Sequence, residues 1–249
     1  MRMRITIKTR ELIVFTAVAG VLLLAYHWIF SPFFPAANGG VGHDYSYFLP
    51  NLLDGYYWYL NNGPFSTPWF SPAFCGGVPA FPNPQNMYYS VPQWLSFATD
   101  PLTAVYVTML LFAALGFAGF YLLLRLCFNT SQSTALLAAA LFMFNGFFAH
   151  RLLIGHLTFH AFMLTPLIAL LLLQPVDTIL KRLFRLSLAG LLFAYLIFSG
   201  SIQLVLPIIV ALLFIGILHG LLYGRQFGFW IPKCGGRFCL PMVCAGLDF

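Results

Sequence analysis

An aspartate at position 44 is the first residue of this sequence that could do chemistry. Asp44 stands in the stretch Gly42-His43-Asp44-Tyr45, directly before apolar residues at helical spacing. A carboxylate in this place could accept a proton from a substrate hydroxyl group as a general base. It could also accept backbone N–H bonds as the N-cap of the helix that follows, and gain from the helix dipole. The two roles are compatible, so the sequence leaves both open.

A second group of candidate residues begins at Arg151 and includes His156 and His160, which are four residues apart. On a helix, that separation places both imidazoles on one face. The guanidinium group suits a phosphate or pyrophosphate, because its paired N–H groups match phosphate oxygens. The alternative is a set of polar side chains that reach from a membrane edge to water. Asp44 and the two histidines would also supply three ligands to a metal ion, which is a third interpretation.

The composition indicates what kind of molecule positions these residues. The chain has 249 residues, of which 61% are hydrophobic and only 7% are charged. Soluble domains carry about 25% charged residues, so this composition excludes a soluble enzyme, and its aromatic content excludes a disordered protein. A helical span needs about 20 mostly apolar residues. We therefore expect an all-α, polytopic membrane protein with about six transmembrane helices, over residues 12–30, 102–124, 134–149, 157–173, 183–198 and 202–222.

The charges indicate how these spans are oriented. Cytoplasmic loops of membrane proteins collect Lys and Arg, and the six-span map puts eleven of the twelve basic residues on the side of the N-terminus. The sequence thus predicts a multi-pass protein of the cell membrane with its N-terminus in the cytoplasm. Only Arg151 lies on the outer side. The net charge of +6 is therefore a topology signal and does not indicate nucleic acid as a partner.

The chain divides into a cytoplasmic N-terminus (1–11), a first span (12–30), a long outer loop (31–100), a bundle of five spans (101–222) and a cytoplasmic tail (223–249). The loop has no Lys or Arg and holds ten of the sixteen prolines, and loops of this length are usually functional if they are ordered. Helical spacing from Tyr45 to Tyr56 predicts an amphipathic interfacial helix, and a second short helix is expected over 86–97. Asp54 is expected to face water, and Asp100 to cap the second span. Because 183–222 is twice too long for one span, the chain must turn back at Gly200.

Several short motifs resemble the bacterial YfhO-like membrane proteins of the C-type glycosyltransferase superfamily. The resemblance covers about residues 12–175 and rests on the order of these motifs, which are Gly42-His-Asp44-Tyr…Phe48-Leu-Pro50, Pro68-Trp-Phe-Ser-Pro72…Gly76-Gly77-Val-Pro79, and Asn145-Gly146…His150-Arg151…Gly155-His156…Pro166-Leu167. Members of that family are longer and have more spans, and the tail does not resemble them. We therefore expect this chain to be the front portion of a larger or truncated protein.

The resemblance implies an enzyme that transfers a sugar from a polyprenyl-phosphate donor to an extracytoplasmic acceptor. It implies that Asp44 is the catalytic base or a metal-associated acid, that Arg151 meets the donor phosphate and that His156 lies near the acceptor. His43 and His160 complete the candidate substrate-binding set. The expected partners are membrane lipid and the donor, and the cofactor candidate is a divalent cation, Mg²⁺ or Mn²⁺.

Two other functions stay open from the sequence. One is a transporter or flippase-like component, which would need polar residues along a path at mid-membrane, and the spans contain few. The other is a non-catalytic, truncated membrane protein, which the short chain favours. The sequence determines neither the sugar nor the acceptor.

Overall fold

The computed structural model describes residues 9–35, 44–81, 83–176, 178–223, 233–234 and 237–238. Within them the fold is all-α, as expected of a helical membrane protein. The helices and strands run in chain order as α1 (Thr9–Phe30), a 3₁₀ turn (Ser31–Phe33), α2 (Tyr45–Asn62), β1 (Phe70–Ser71), α3 (Ala73–Gly76), β2 (Val78–Pro79), α4 (Val91–Leu95), α5 (Pro101–Cys127), α6 (Gln132–Met143), α7 (Gly146–Leu153), a 3₁₀ helix (Leu157–Leu164), α8 (Thr165–Leu173), α9 (Ile179–Phe198), α10 (Ile202–Tyr223), β3 (Lys233–Cys234) and β4 (Arg237–Phe238).

Four helical segments among the described residues are long and apolar enough to cross a membrane. They are Thr9–Phe33, Pro101–Cys127, Gln132–Leu153 and Ile202–Leu222. The apolar segment Leu157–Leu173 is shorter, and α9 carries three basic residues in its first two turns. The membrane character of the chain is thus established, whereas the number of six spans stays a prediction.

Helix α5 is the centre of the bundle, with α1, α6 and α8 packed around it. Side chains of α5, among them Phe112 and Phe117, form the main core together with apolar residues of those helices. Gly119 permits a close approach of α5 to α8, because a Cβ atom there would lie 3.1 Å from the backbone nitrogen of Leu167. Small residues at such contacts let membrane helices pack backbone to backbone.

The loop segment folds against one end of this bundle. Helix α2 buries Tyr45, Phe48, Leu52 and Tyr59 along one side, which confirms the predicted amphipathic helix. The second predicted loop helix, over 86–97, is observed as the shorter helix α4 (Val91–Leu95). Outside the helices, β1 and β2 form one antiparallel pair, with Ser71 opposite Val78.

The prediction that Asp54 faces water is wrong. Its side chain is half-buried, and its two carboxylate oxygens accept hydrogen bonds from Ser71 Oγ at 2.6 Å and Tyr88 Oη at 2.5 Å. These bonds tie α2 to β1 and to the segment that precedes α4. Burial, followed by the hydrogen bond to Asp54, raises the pKa of the Tyr88 hydroxyl well above its ordinary value, so this hydroxyl remains a proton donor.

Two predicted helix boundaries are confirmed. Asp100 caps α5, because its Oδ1 accepts the backbone N–H of Thr103 at 3.0 Å. The chain also turns between α9 and α10 as expected, with Gly200 at a φ of 83°. A Cβ atom on Gly200 would lie 2.9 Å from the carbonyl oxygen of Gln85, so this turn sits directly on the loop segment.

Candidate functional site

One cavity of about 460 Å³ lies where the loop segment meets the bundle. Volumes of this size are typical of small-molecule sites. The lining residues come from α2, the segment before α4, α7, the 3₁₀ helix with its N-cap, and the first turn of α10; they are Asp44, Tyr47, Phe48, Gln85, Arg151, His156, Thr158, Phe159 and Gln203. Three of the residues predicted from the sequence, Asp44, Arg151 and His156, are therefore brought to one place.

The start of α2 is fastened to the end of α7 by backbone contacts. The amide of Asp44 donates to the carbonyl of Ile154 at 3.2 Å, and the Tyr45 hydroxyl donates to the carbonyl of Leu152 at 2.6 Å. Gly155 makes the approach possible, because its φ is 89° and a Cβ atom there would lie 2.4 Å from the backbone nitrogen of Tyr45. Glycine adopts such a φ without steric cost. The position of Asp44 thus depends on this glycine.

The carboxylate of Asp44 does not cap its helix, so the capping interpretation is wrong. No backbone N–H of α2 donates to it. The reason is its backbone, which is already helical at φ −74° and ψ −5°, whereas a capping side chain needs an extended residue to reach the following amides. The carboxylate instead faces His156, with Oδ2 at 2.6 Å from Nε2.

His156 also contacts Arg151, whose Nη1 lies 2.8 Å from Nδ1 of the ring. A guanidinium group has only donors, so Nδ1 must be the acceptor of this bond. The ring proton then sits on Nε2, where it is donated to Asp44. His156 therefore lies between the carboxylate of Asp44 and the guanidinium group of Arg151 and contacts each with a different ring nitrogen.

Arg151 is held in place by aromatic rings. Its guanidinium carbon lies 4.7 Å from the ring centre of Phe159 and 5.5 Å from that of Phe147. These are cation–π distances, and such contacts do not use up the N–H donors of the group. Within the described part of the chain, no carboxylate forms an ion pair with Arg151. The group is thus positioned to bind an anion from the cavity.

His160 lies outside the cavity. Its side chain is fully buried, Nδ1 donates to the carbonyl of Leu157 at 2.7 Å, and Nε2 accepts from the hydroxyl of Tyr195 on α9 at 2.6 Å. The expectation that His156 and His160 share a helix face is wrong, because the chain turns at Gly155 and continues as a 3₁₀ helix with His156 at its N-cap.

The described residues also do not bring the predicted metal ligands together. No group of three or more His, Cys, Asp or Glu side chains among them could hold a metal ion. The His160 ring, turned toward Leu157 and Tyr195, cannot complete a set with Asp44 and His156. The remaining predicted residue, His43, lies outside the described residues.

Sequence reasoning missed the uncharged polar side of the cavity. Gln203 reaches it from the first turn of α10, where its Nε2 donates to Thr158 Oγ1 at 2.8 Å. The neighbouring Ser201 hydroxyl donates to the carbonyl of Thr158. The one feature of the sequence that could have identified Gln203 as a site residue is a polar side chain at the end of an apolar span. Gln85 also lines the cavity, but it stands among loop prolines and had no such signal.

Comparisons of the chain with protein-family models, with curated proteins and with solved structures found no match. The function of the protein must therefore be inferred from the chemistry of this cavity and from the short motifs in the sequence.

Proposed function

We propose that the protein is a membrane glycosyltransferase that moves a sugar from a polyprenyl-phosphate donor to an acceptor outside the cytoplasm. The observation that carries this proposal is the single cavity that Asp44 and Arg151 share, with His156 between them. A proton acceptor and a phosphate-binding cation in one cavity of a membrane protein match the two needs of this reaction. The motifs that resemble the YfhO-like proteins favour the same class of donor.

Arg151 would bind the phosphate of the donor. Its guanidinium group is oriented by two aromatic rings and has no carboxylate partner among the described residues, so phosphate oxygens can accept its N–H groups in pairs. During transfer, negative charge grows on the bridging oxygen as the polyprenyl phosphate leaves. A fixed cation stabilises that charge more in the transition state than in the bound substrate.

Asp44 would act as the general base. The acceptor hydroxyl gives its proton to the carboxylate, the acceptor oxygen forms a bond to the anomeric carbon, and the bond between that carbon and the phosphate oxygen breaks. The side chain is 51% exposed, so an acceptor can reach it from the cavity. The hydrogen bond from His156 orients the carboxylate for this step.

The location follows from the charges of the sequence. With its N-terminus in the cytoplasm, the protein would have the cavity on the outer face of the cell membrane, where Arg151 is the exception to the distribution of basic residues. A donor lipid that enters from the bilayer would then present its phosphate at the level of Arg151.

The experiment is a transfer assay on the full chain in proteoliposomes. Decaprenyl-phospho-glucose labelled in the sugar is supplied together with cell-envelope acceptors, and transfer is compared for wild-type, Asp44→Asn and Asp100→Asn. Asp100 is a carboxylate of the same loop that lies outside the cavity, and asparagine keeps its capping role. We expect Asp44→Asn to lower turnover by about 10²–10⁴-fold, the usual contribution of a general base, and Asp100→Asn to retain it.

Undiminished turnover of Asp44→Asn would refute the role of the carboxylate. Movement of the labelled donor across the bilayer without cleavage of its sugar–phosphate bond would instead identify a flippase. The Arg151→Lys variant adds a second test, because it keeps the charge but loses the paired donors. Its expected defect is a raised KM for the donor.

A further inference from the structure

The bond between Arg151 and His156 determines where a proton can go. While Nη1 of Arg151 donates to Nδ1 of His156 at 2.8 Å, a proton on Nδ1 would set two N–H groups against each other. Nδ1 therefore has no room for a proton while this bond is in place. Nε2 already carries a proton and donates it to Asp44. An anion that draws the N–H groups of Arg151 toward itself would free Nδ1.

We propose that the cavity binds a phosphodiester anion together with a proton, which His156 takes up on Nδ1 when the anion engages Arg151. The proton comes from solvent, and no covalent bond between heavy atoms forms or breaks. The protonated ring then donates to Asp44 through Nε2 and to the anion through Nδ1. His156 thereby becomes a second donor to the ligand. This inference rests on the anion-binding part of the proposed function and is independent of sugar transfer.

The charge of the cavity supports the same conclusion. Among its described lining residues Asp44 is the only carboxylate and Arg151 the only guanidinium, so their formal charges cancel in the free site. A phosphodiester would leave one uncompensated negative charge beside Asp44. One proton on His156 cancels that charge, and the imidazole is the side chain that titrates in the physiological range of pH.

The groups that face His156 leave few alternatives for the proton. Asp44 and Tyr47 face it from α2, and Arg151 from α7. The 3₁₀ helix and α10 contribute only a threonine, a phenylalanine and a glutamine to the cavity wall. Among the described lining residues, Asp44 is the one other group that could take the proton, and the experiment separates it from His156.

The test is a calorimetric titration of the detergent-solubilised full chain with the methyl ester of geranyl phosphate, a phosphodiester that stays singly charged at neutral pH. The titration is run at one pH in two buffers of different ionisation enthalpy, so the difference in heat counts the protons taken up. We expect uptake that approaches one proton per anion at the acidic end. By linkage, the Kd should increase, and binding weaken, as pH rises from about 6 to about 8. For one proton the limit is about tenfold per pH unit.

Three variants locate the effect. His156→Gln keeps a donor for Asp44 but cannot titrate, so it should bind without proton uptake and with a Kd that is independent of pH. His150→Gln removes an adjacent, exposed histidine outside the cavity and should behave as wild-type. Arg151→Gln should lose binding.

Several results would overturn the inference. The first is binding to the wild-type protein without proton uptake, a result that depends on no variant. The second is proton uptake that persists in His156→Gln. The third is the absence of phosphodiester binding at every pH. Failure of sugar transfer alone would leave the inference standing and would reject only the proposed reaction.

Discussion

Replacement of Gly155 by alanine is the most direct test of how the site is assembled. Gly155 has a φ of 89°, and its added Cβ atom would lie 2.4 Å from the backbone nitrogen of Tyr45 and 2.9 Å from the carbonyl carbon of Asp44. Ordinary contacts begin at 3.4 Å, so the start of α2 must move away by about 1 Å. The flanking bonds oppose that movement, because the Asp44 amide is tied to Ile154.

The expected cost has two parts. A left-handed backbone costs a residue with a side chain about 1–2 kcal/mol, and overpacking against backbone atoms costs about 1–3 kcal/mol. The free energy of unfolding should fall by their sum, about 2–5 kcal/mol, which lowers the melting temperature by about 2–4 °C per kcal/mol for a chain of this length. A shift of about 1 Å also stretches the 2.6 Å contact between Asp44 and His156 beyond hydrogen-bond range.

Two assays follow from these numbers. Thermal unfolding in detergent, followed by tryptophan emission, measures stability, and the transfer assay measures turnover, for which a misplacement of about 1 Å typically costs about 10²-fold. Gly146→Ala is the matched control, because Gly146 begins α7 and a Cβ atom there meets nothing within 4 Å. If Gly155→Ala melts and turns over like Gly146→Ala, the close approach of α2 to Gly155 does not position Asp44.

Three further predictions concern the frame of the molecule, each measured by unfolding in detergent. Asp100→Ala should lower the free energy of unfolding by about 0.5–2 kcal/mol through loss of the cap, and Asp100→Asn should lower it less, because an asparagine can still accept the N–H of Thr103. The hydrogen bonds from Thr103 lower the pKa of Asp100, so the part of the stabilisation that depends on its charge should be present at neutral pH and be lost as pH falls through the folded-state pKa. Equal melting of the two variants would contradict the role of the cap. Glu11→Gln should cost about 1–3 kcal/mol, since the buried guanidinium of Arg125 donates to both oxygens of that carboxylate; an unchanged melting temperature would show that the pair contributes nothing. Tyr195→Phe should cost about 2–6 kcal/mol, because it strands a buried imidazole and a backbone N–H at about 1–3 kcal/mol each. A loss below about 1 kcal/mol would contradict that count.

The parts of this fold that follow from local rules could be predicted from the sequence. The apolar spans, the amphipathic α2, the cap at Asp100 and the turn at Gly200 each depend on residues within one or two helical turns. Hydrophobic periodicity and cap chemistry act over that range. The sequence also identified Asp44 and Arg151 as individual candidates, because charged residues are few in this chain.

The composition of the site could not be predicted in this way. Spacing alone pairs His156 with His160, and only the turn at Gly155, which is required by the approach of Tyr45, sends one imidazole to the cavity and the other to Tyr195. Gln203 reaches the cavity from α10, almost fifty residues after His156 in the chain.

The sequence by itself therefore determined a helical membrane protein and two of the charged residues of its candidate site. The tertiary structure decided that Asp44 faces His156 instead of capping α2, and that His156 joins it to Arg151. The physical reason is that these contacts are set by the packing of α2 against the end of α7, which depends on the absence of one Cβ atom.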